Sequence, residues 1–225
     1  MLLDVFGIIG SYLFVFGLIG FASLLMRRQA LGPSATRKVI HIGVAHWWLI
    51  AMATIDDPWV ASIGPVSFII INVLSVRLQA LPAMDQAAGA RNWGTVYFPV
   101  SLLVLVNLCW RGILPVWVGG LAVLVMGWGD GLAALVGERK GARGFRVWRG
   151  RKSIAGTAVM FGASFVVILV FTLIFNARFT ALLPAVGVSA AVAGAATVVE
   201  LLTPLGIDNI TVPLLTAALY GLAFA

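Results

Sequence analysis

Apolar runs of about twenty residues without a charged side chain recur along the chain, and they limit what it can fold into. They cover residues 5–26, 39–55, 58–76, 92–110, 112–129, 153–177, 179–199 and 209–225. Crossing the hydrocarbon of a bilayer takes roughly 20 apolar residues as a helix, so these runs read as eight spans. A soluble domain could not hide them. Of the 225 residues, 61% are hydrophobic and only 10% charged, where ordinary globular chains carry about a quarter charged. The ten-residue alternation of a transmembrane barrel is absent. The expectation is an all-α integral membrane protein. It would be a polytopic bundle of about eight transmembrane helices, a single domain over 1–225. The segment 39–55 is short and holds His41 and His46. The segment 209–225 is short and holds Pro213, so seven spans plus a re-entrant segment is the alternative.

Orientation follows from the basic residues. With eight spans, thirteen of the 15 Lys and Arg fall in the first, third and fifth loops. Arg27, Arg28, Arg37 and Lys38 follow span 1, and Arg77 and Arg91 follow span 3. Arg139, Lys140, Arg143, Arg146, Arg149, Arg151 and Lys152 follow span 5. Only Arg111 and Arg178 fall in the even loops. Basic loops stay on the cytoplasmic side. Both termini are therefore expected outside, in a bacterial-type inner membrane. The net charge of +7 is then a topology signal and an attraction to anionic lipid, not a nucleic-acid surface. Asp4 stands where a signal peptide would carry its basic region, so the first run is expected to remain as a span. Cys109, the one cysteine, can form no internal disulfide.

Ionisable groups at or inside a span are costly and are functional candidates. Asp130, between Gly129 and Gly131, is read as the cytoplasmic end of span 5, where glycines let backbone approach a ligand. A hard cation such as Mg²⁺ would satisfy its carboxylate. The stretch Lys152-Ser153-Ile154-Ala155-Gly156-Thr157 opens span 6 and joins a lysine and hydroxyls to a helix N-terminus, a phosphate-binding combination. It is not a Walker loop. Glu200 and Asp208 flank the turn after span 7, which carries no basic residue, and they are expected in the same layer. His41 lies one turn from Lys38, whereas His46 reads as a structural hydrogen-bonding group. Carboxylates for a divalent metal beside a basic cradle describe phosphoryl or nucleotidyl transfer.

Four segments, in order, resemble one family. They are Arg37-Lys38-Val39-Ile40-His41, Gly129-Asp130-Gly131-Leu132-Ala133, Lys152 to Thr157 with Met160-Phe161, and Glu200 with Asp208-Asn209-Ile210-Thr211-Val212-Pro213. The chain resembles the polyprenol kinases, which include dolichol kinase, phytol kinase and the CTP-dependent diacylglycerol kinase. That family is itself similar to the phosphatidate cytidylyltransferases. The resemblance runs from about residue 37 to 215 and implies CTP as phosphoryl donor, a divalent metal and a lipid alcohol as acceptor. It differs at Ala134, where many members carry a second Asp.

The reading that follows is a CTP-dependent kinase of a phytol-like or polyprenol-like alcohol, with its site facing the cytoplasm. Asp130, Glu200 and Asp208 would hold Mg²⁺. Lys38, Gly129, Gly131, Lys152, Ser153, Gly156, Thr157 and Asn209 would bind the nucleotide. Asp130 and Lys152 would act in catalysis, with His41 or Asp208 taking the hydroxyl proton. A homo-oligomer is compatible with all of this. The rivals are a cytidylyltransferase acting on a phospholipid acid and a transporter with ionisable sites at the midplane.

Overall fold

A computed structural model describes residues 2–78, 93–140, 143–147, 150–179, 181–204 and 206–224. Arg91, Arg149, Gly141, Leu205 and the terminal residues Asn92 and Ala225 of two expected spans lie outside the described residues, as do the side chains of Lys140 and Arg151.

Each apolar run becomes helix, because a helix satisfies every backbone group within its own segment where no water can. The helices are α1 Leu2–Arg27, α2 Pro33–Ala45, α3 Trp47–Thr54, α4 Pro58–Leu78, α5 Gly94–Trp110 and α6 Val116–Lys140. They continue as α7 Ile154–Phe175, α8 Leu182–Leu202 and α9 Asp208–Phe224. Among the described residues, five are both long and apolar enough to cross a bilayer: α1, α4, α6, α7 and α8. Helices α5 and α9 are apolar but shorter. The last segment is one continuous helix that contains Pro213.

Residues 39–55 form two helices rather than one. The break falls at His46, whose amide donates to the Gly43 carbonyl, 3.0 Å away, instead of continuing the helical pattern. That leaves the Ile42 carbonyl, and His46 Nδ1 lies 2.9 Å from it. The Trp128 indole N–H donates to His46 Nε2 at 3.2 Å, so Nδ1 is the protonated nitrogen. His46 thus repairs the ladder that it interrupts, which is the structural role expected of it.

Helix α6 is the axis of the bundle. It packs against α2, α3, α5, α7 and α9, and every residue from Val118 to Gly127 is buried. It also runs further than the expected span 112–129. Asp130 therefore lies inside a helix, about three turns before its end at Lys140, and not at a terminus. The cause is close packing. Small residues let neighbouring helices approach: a Cβ on Gly127 would strike Ala45, one on Gly131 would strike Ile42, and one on Gly129 would come 2.6 Å from Met160 Sδ. The glycines expected to let backbone approach a ligand are helix contacts.

A second difference lies between α6 and α7. The basic loop there contains a two-stranded antiparallel hairpin, β1 Gly144–Val147 with β2 Gly150–Ser153, pairing Phe145 with Lys152. The opposite end of the bundle is sparse in charge. Asp4 accepts a hydrogen bond from the Asp56 amide at 2.9 Å, and Arg111 stacks over Trp59 at 5.0 Å.

Candidate active site

Five elements meet at the basic end of the bundle. Lys38 and His41 stand three residues apart on α2, on one face. Asp130 comes from α6, Lys152 from β2, Glu200 from the last turn of α8 and Asp208 from the first turn of α9. A carboxylate oxygen from each of Asp130, Glu200 and Asp208 lies within 4.8 Å of the others. Asp130 and Glu200 are buried, at 9% and 5% exposure.

Three carboxylates at this separation repel one another by on the order of 3 kcal/mol per pair at an effective dielectric constant near 20. Two lysines offset part of that. Lys38 Nζ donates to Asp130 Oδ2 at 2.8 Å, and Lys152 Nζ pairs with Glu200 Oε1. Among the described residues, Asp208 Oδ1 accepts only from the amide and the side-chain N–H of its neighbour Asn209, at 3.1 and 3.3 Å. His41 Nε2 stands 3.8 Å from Asp130 Oδ2. It is buried and has no hydrogen-bond partner among the described residues.

Two cavities adjoin the cluster and share Asp130. One, of about 640 Å³, lies between α1, α2, α4 and α5 and is walled by apolar groups such as Val15, Trp47 and Phe98. Lys38, His41, Asp130, Asp208 and Asn209 line it as well. The other, of about 380 Å³, lies between α6, the hairpin and α8. Its walls include Glu138, Lys152, Ser153, Thr157 and Glu200. A molecule with one hydroxyl on an apolar tail and a polar, charged molecule could thus reach the same carboxylate from two sides.

The start of α7 differs from a simple open cradle. Ser153 caps the helix, its Oγ accepting from the Gly156 amide at 2.9 Å. The Thr157 hydroxyl donates to the Ser153 carbonyl at 3.1 Å, and the Ile154 amide donates to the Arg143 carbonyl at 3.2 Å. The expected amides and hydroxyls face the polar cavity, but the cap and the hairpin already use several of them. Gly156 has a further task. A Cβ there would sit 2.9 Å from the Ala133 carbonyl oxygen and 2.8 Å from Ser153 Oγ. Backbone cannot turn away as a side chain can. Gly156→Ala is therefore expected to lower stability by about 1–3 kcal/mol and to pry α7 from α6 beside Asp130. Gly162→Ala, on the same helix with nothing within 4 Å of its added Cβ, is the control. Thermal unfolding in detergent should separate the two, and equal midpoints would refute the close-approach role.

Every site residue expected from the sequence lies at this end of the bundle. What the sequence did not show was the pairing of each lysine with its acid. Nor did it show the contact in which Ser34 Oγ donates to Glu138 Oε1 at 2.5 Å, which ties the start of α2 to the end of α6. The spacing of Lys38 and His41 was the one local signal.

Comparison with known proteins places the chain among named relatives. No family model matches the chain, and no solved structure matches it. Among curated proteins, it is 39% identical to the phytol kinase of Synechocystis over 92% of this chain and 86% of that protein. It is 31% identical to a probable chloroplastic phytol kinase of Glycine max, covering 89% of this chain and 69% of the relative. A probable chloroplastic phytol kinase of Zea mays is 30% identical, with 89% and 70% covered. At that identity and coverage, with the basic and acidic segments brought together as described, the chain belongs to the phytol kinase family.

Proposed function

We propose that this protein is a lipid-alcohol kinase that moves the γ-phosphoryl group of CTP to the hydroxyl of a phytol-like alcohol, at the cytoplasmic face of the membrane. The observation that carries the reading is the shared carboxylate: Asp130 lines both the apolar and the polar cavity. The relatives, named as phytol kinases, favour a single hydroxyl on an apolar tail as acceptor.

In the proposed step the alcohol oxygen attacks the γ-phosphorus, and the bond from that phosphorus to the β–γ bridging oxygen breaks. The products are an alkyl phosphate and a nucleoside diphosphate. The hydroxyl proton goes to His41, which lines the apolar cavity and whose Nε2 has no hydrogen-bond partner among the described residues. Lys152 sits in the polar cavity beside Ser153 and Thr157, suited to the phosphates as a point charge. Lys38 reaches the other side of Asp130 and would steady the transferring group.

A divalent cation fits the donor set. Asp130, Glu200 and Asp208 are hard oxygen donors, mutually within 4.8 Å, and carry one more negative charge than the two lysines cancel. Mg²⁺ held there would neutralise charge on the phosphates. Ala134 does not weaken this fit, since Glu200 and Asp208 supply acids at the same place.

The test is purified protein with labelled CTP, Mg²⁺ and a panel of lipid alcohols. Transfer of a γ-label to the alcohol is expected. Transfer of an α-label to a lipid acid would point to a cytidylyltransferase, and no transfer to any lipid would overturn the reading. Topology is checked separately: a reporter at Gly144 should read cytoplasmic and one at Asp57 external.

A further inference from the structure

We propose that the apolar cavity measures the length of the acceptor chain and that Gly64 fixes the depth available. The inference rests on the lipid-alcohol kinase reading above and goes on to say which alcohols fit.

The cavity is elongated along the helices. Helix α4 contributes lining residues from Asn72, beside the charged end, to Val60. Twelve residues of helix span about 18 Å. Ile8 on α1 and Ile55 after α3 line the same far region. The two segments meet there, since a Cβ on Gly7 would come 2.7 Å from Ile55 Cγ1. An extended hydrocarbon, with bonds of about 1.5 Å at tetrahedral angles, advances about 1.25 Å per carbon. Some 18 Å therefore takes about fourteen or fifteen main-chain carbons. Each isoprene unit supplies four of these, so a linear alcohol of four units fills the cavity.

Gly64 lies two turns below Asn72 and one turn above Val60 on the same helix, and it lines the cavity without a side chain. The nearest atom to a Cβ placed there is Trp47 Cζ2, at 3.4 Å. One methyl group fits at that distance. Anything larger must grow into the cavity or push the Trp47 ring, which lines the same cavity, so either movement takes up its volume. A leucine at this position would occlude the last turn, about 6 Å, close to the reach of one isoprene unit.

The experiment compares straight isoprenoid alcohols of ten, fifteen and twenty carbons on wild-type protein and on Gly64→Leu, with thermal unfolding as the folding control. A misfit of a few methylenes in an apolar pocket is worth tenfold or more. For Gly64→Leu, kcat/KM on the twenty-carbon alcohol should therefore fall about tenfold or more, with the shorter alcohols changed less than about threefold. An equal loss on all three lengths, or none, would overturn the ruler. Should Gly64→Leu not fold, the smaller but still cavity-filling Gly64→Val and Val60→Ala carry the test. The first should lower the twenty-to-fifteen carbon ratio, and the second should raise turnover of a twenty-five-carbon alcohol. Unchanged ratios in both would overturn the proposal. Wild-type protein that phosphorylates no alcohol would instead overturn the kinase reading, a different outcome from an active enzyme with unaltered length preference.

Discussion

Asp130→Asn is expected to express and insert normally and to lose activity by about a hundredfold or more, the usual consequence of deleting a principal electrostatic group from a site. The side chain keeps its shape, and a neutral amide is no harder to insert than a carboxylate. What it loses is specific. Asp130 holds the Lys38 ammonium at 2.8 Å, faces His41 and stands among the three acids. Two roles are mixed in that loss, and a second substitution separates them. Removing one partner of a buried pair leaves the other charge uncompensated, so Asp130→Asn alone should also lower thermal stability. Adding Lys38→Met should restore the stability, because the stranded charge is gone. Activity should stay low if Asp130 holds the metal. Near-native activity of Asp130→Asn at ordinary Mg²⁺ would refute the metal assignment. Recovery of activity in the double variant would reduce Asp130 to a partner for Lys38.

The second large effect is expected at Lys152. Lys152→Ala should raise the apparent KM for CTP and slow turnover, by tens of fold in combination. The residue is held on β2, pairs with buried Glu200 and faces the polar cavity, so its charge has a fixed address. Arg143 and Arg146 sit on the same hairpin but are exposed, and exposed charges are screened by salt. Replacing either one alone should change activity less than about threefold. Lys152 and Glu200 touch, so their effects should not add: Lys152→Ala with Glu200→Gln should cost less than the product of the single losses. Equal effects at Lys152, Arg143 and Arg146 would mean that the loop acts as a diffuse field. Full additivity would deny the pair.

Several features of the fold were not legible because the relevant signal is tertiary. From the sequence, Asp130 is expected at the end of span 5, with Gly129 and Gly131 open to a ligand, although glycine also occurs inside helices at some cost. In the bundle those same glycines let α2 and α7 come close, and the packing outweighs the propensity. The break at His46 carries no proline, and nothing local marks it. It persists because the His46 ring bridges the Ile42 carbonyl and Trp128, which lies 82 residues away. The hairpin at residues 144–153 is short, and its register depends on where α6 ends and α7 begins.

The sequence by itself determined the class of protein, the approximate positions of its apolar segments and the residues worth suspecting. Charge is expensive in hydrocarbon, so charge-free runs mark helices, and the few ionisable groups kept near them mark a site. Only the tertiary structure decided that Asp130, Glu200 and Asp208 meet, which lysine serves which acid, and where the two cavities lie. The physical reason is that lipid tails are as apolar as a protein core. A helix facing lipid and a helix facing a neighbour can therefore carry the same residues, and hydrophobicity along the chain cannot say which face is inside. That choice is made when the helices pack, and the apolar walls of the larger cavity are faces of this kind.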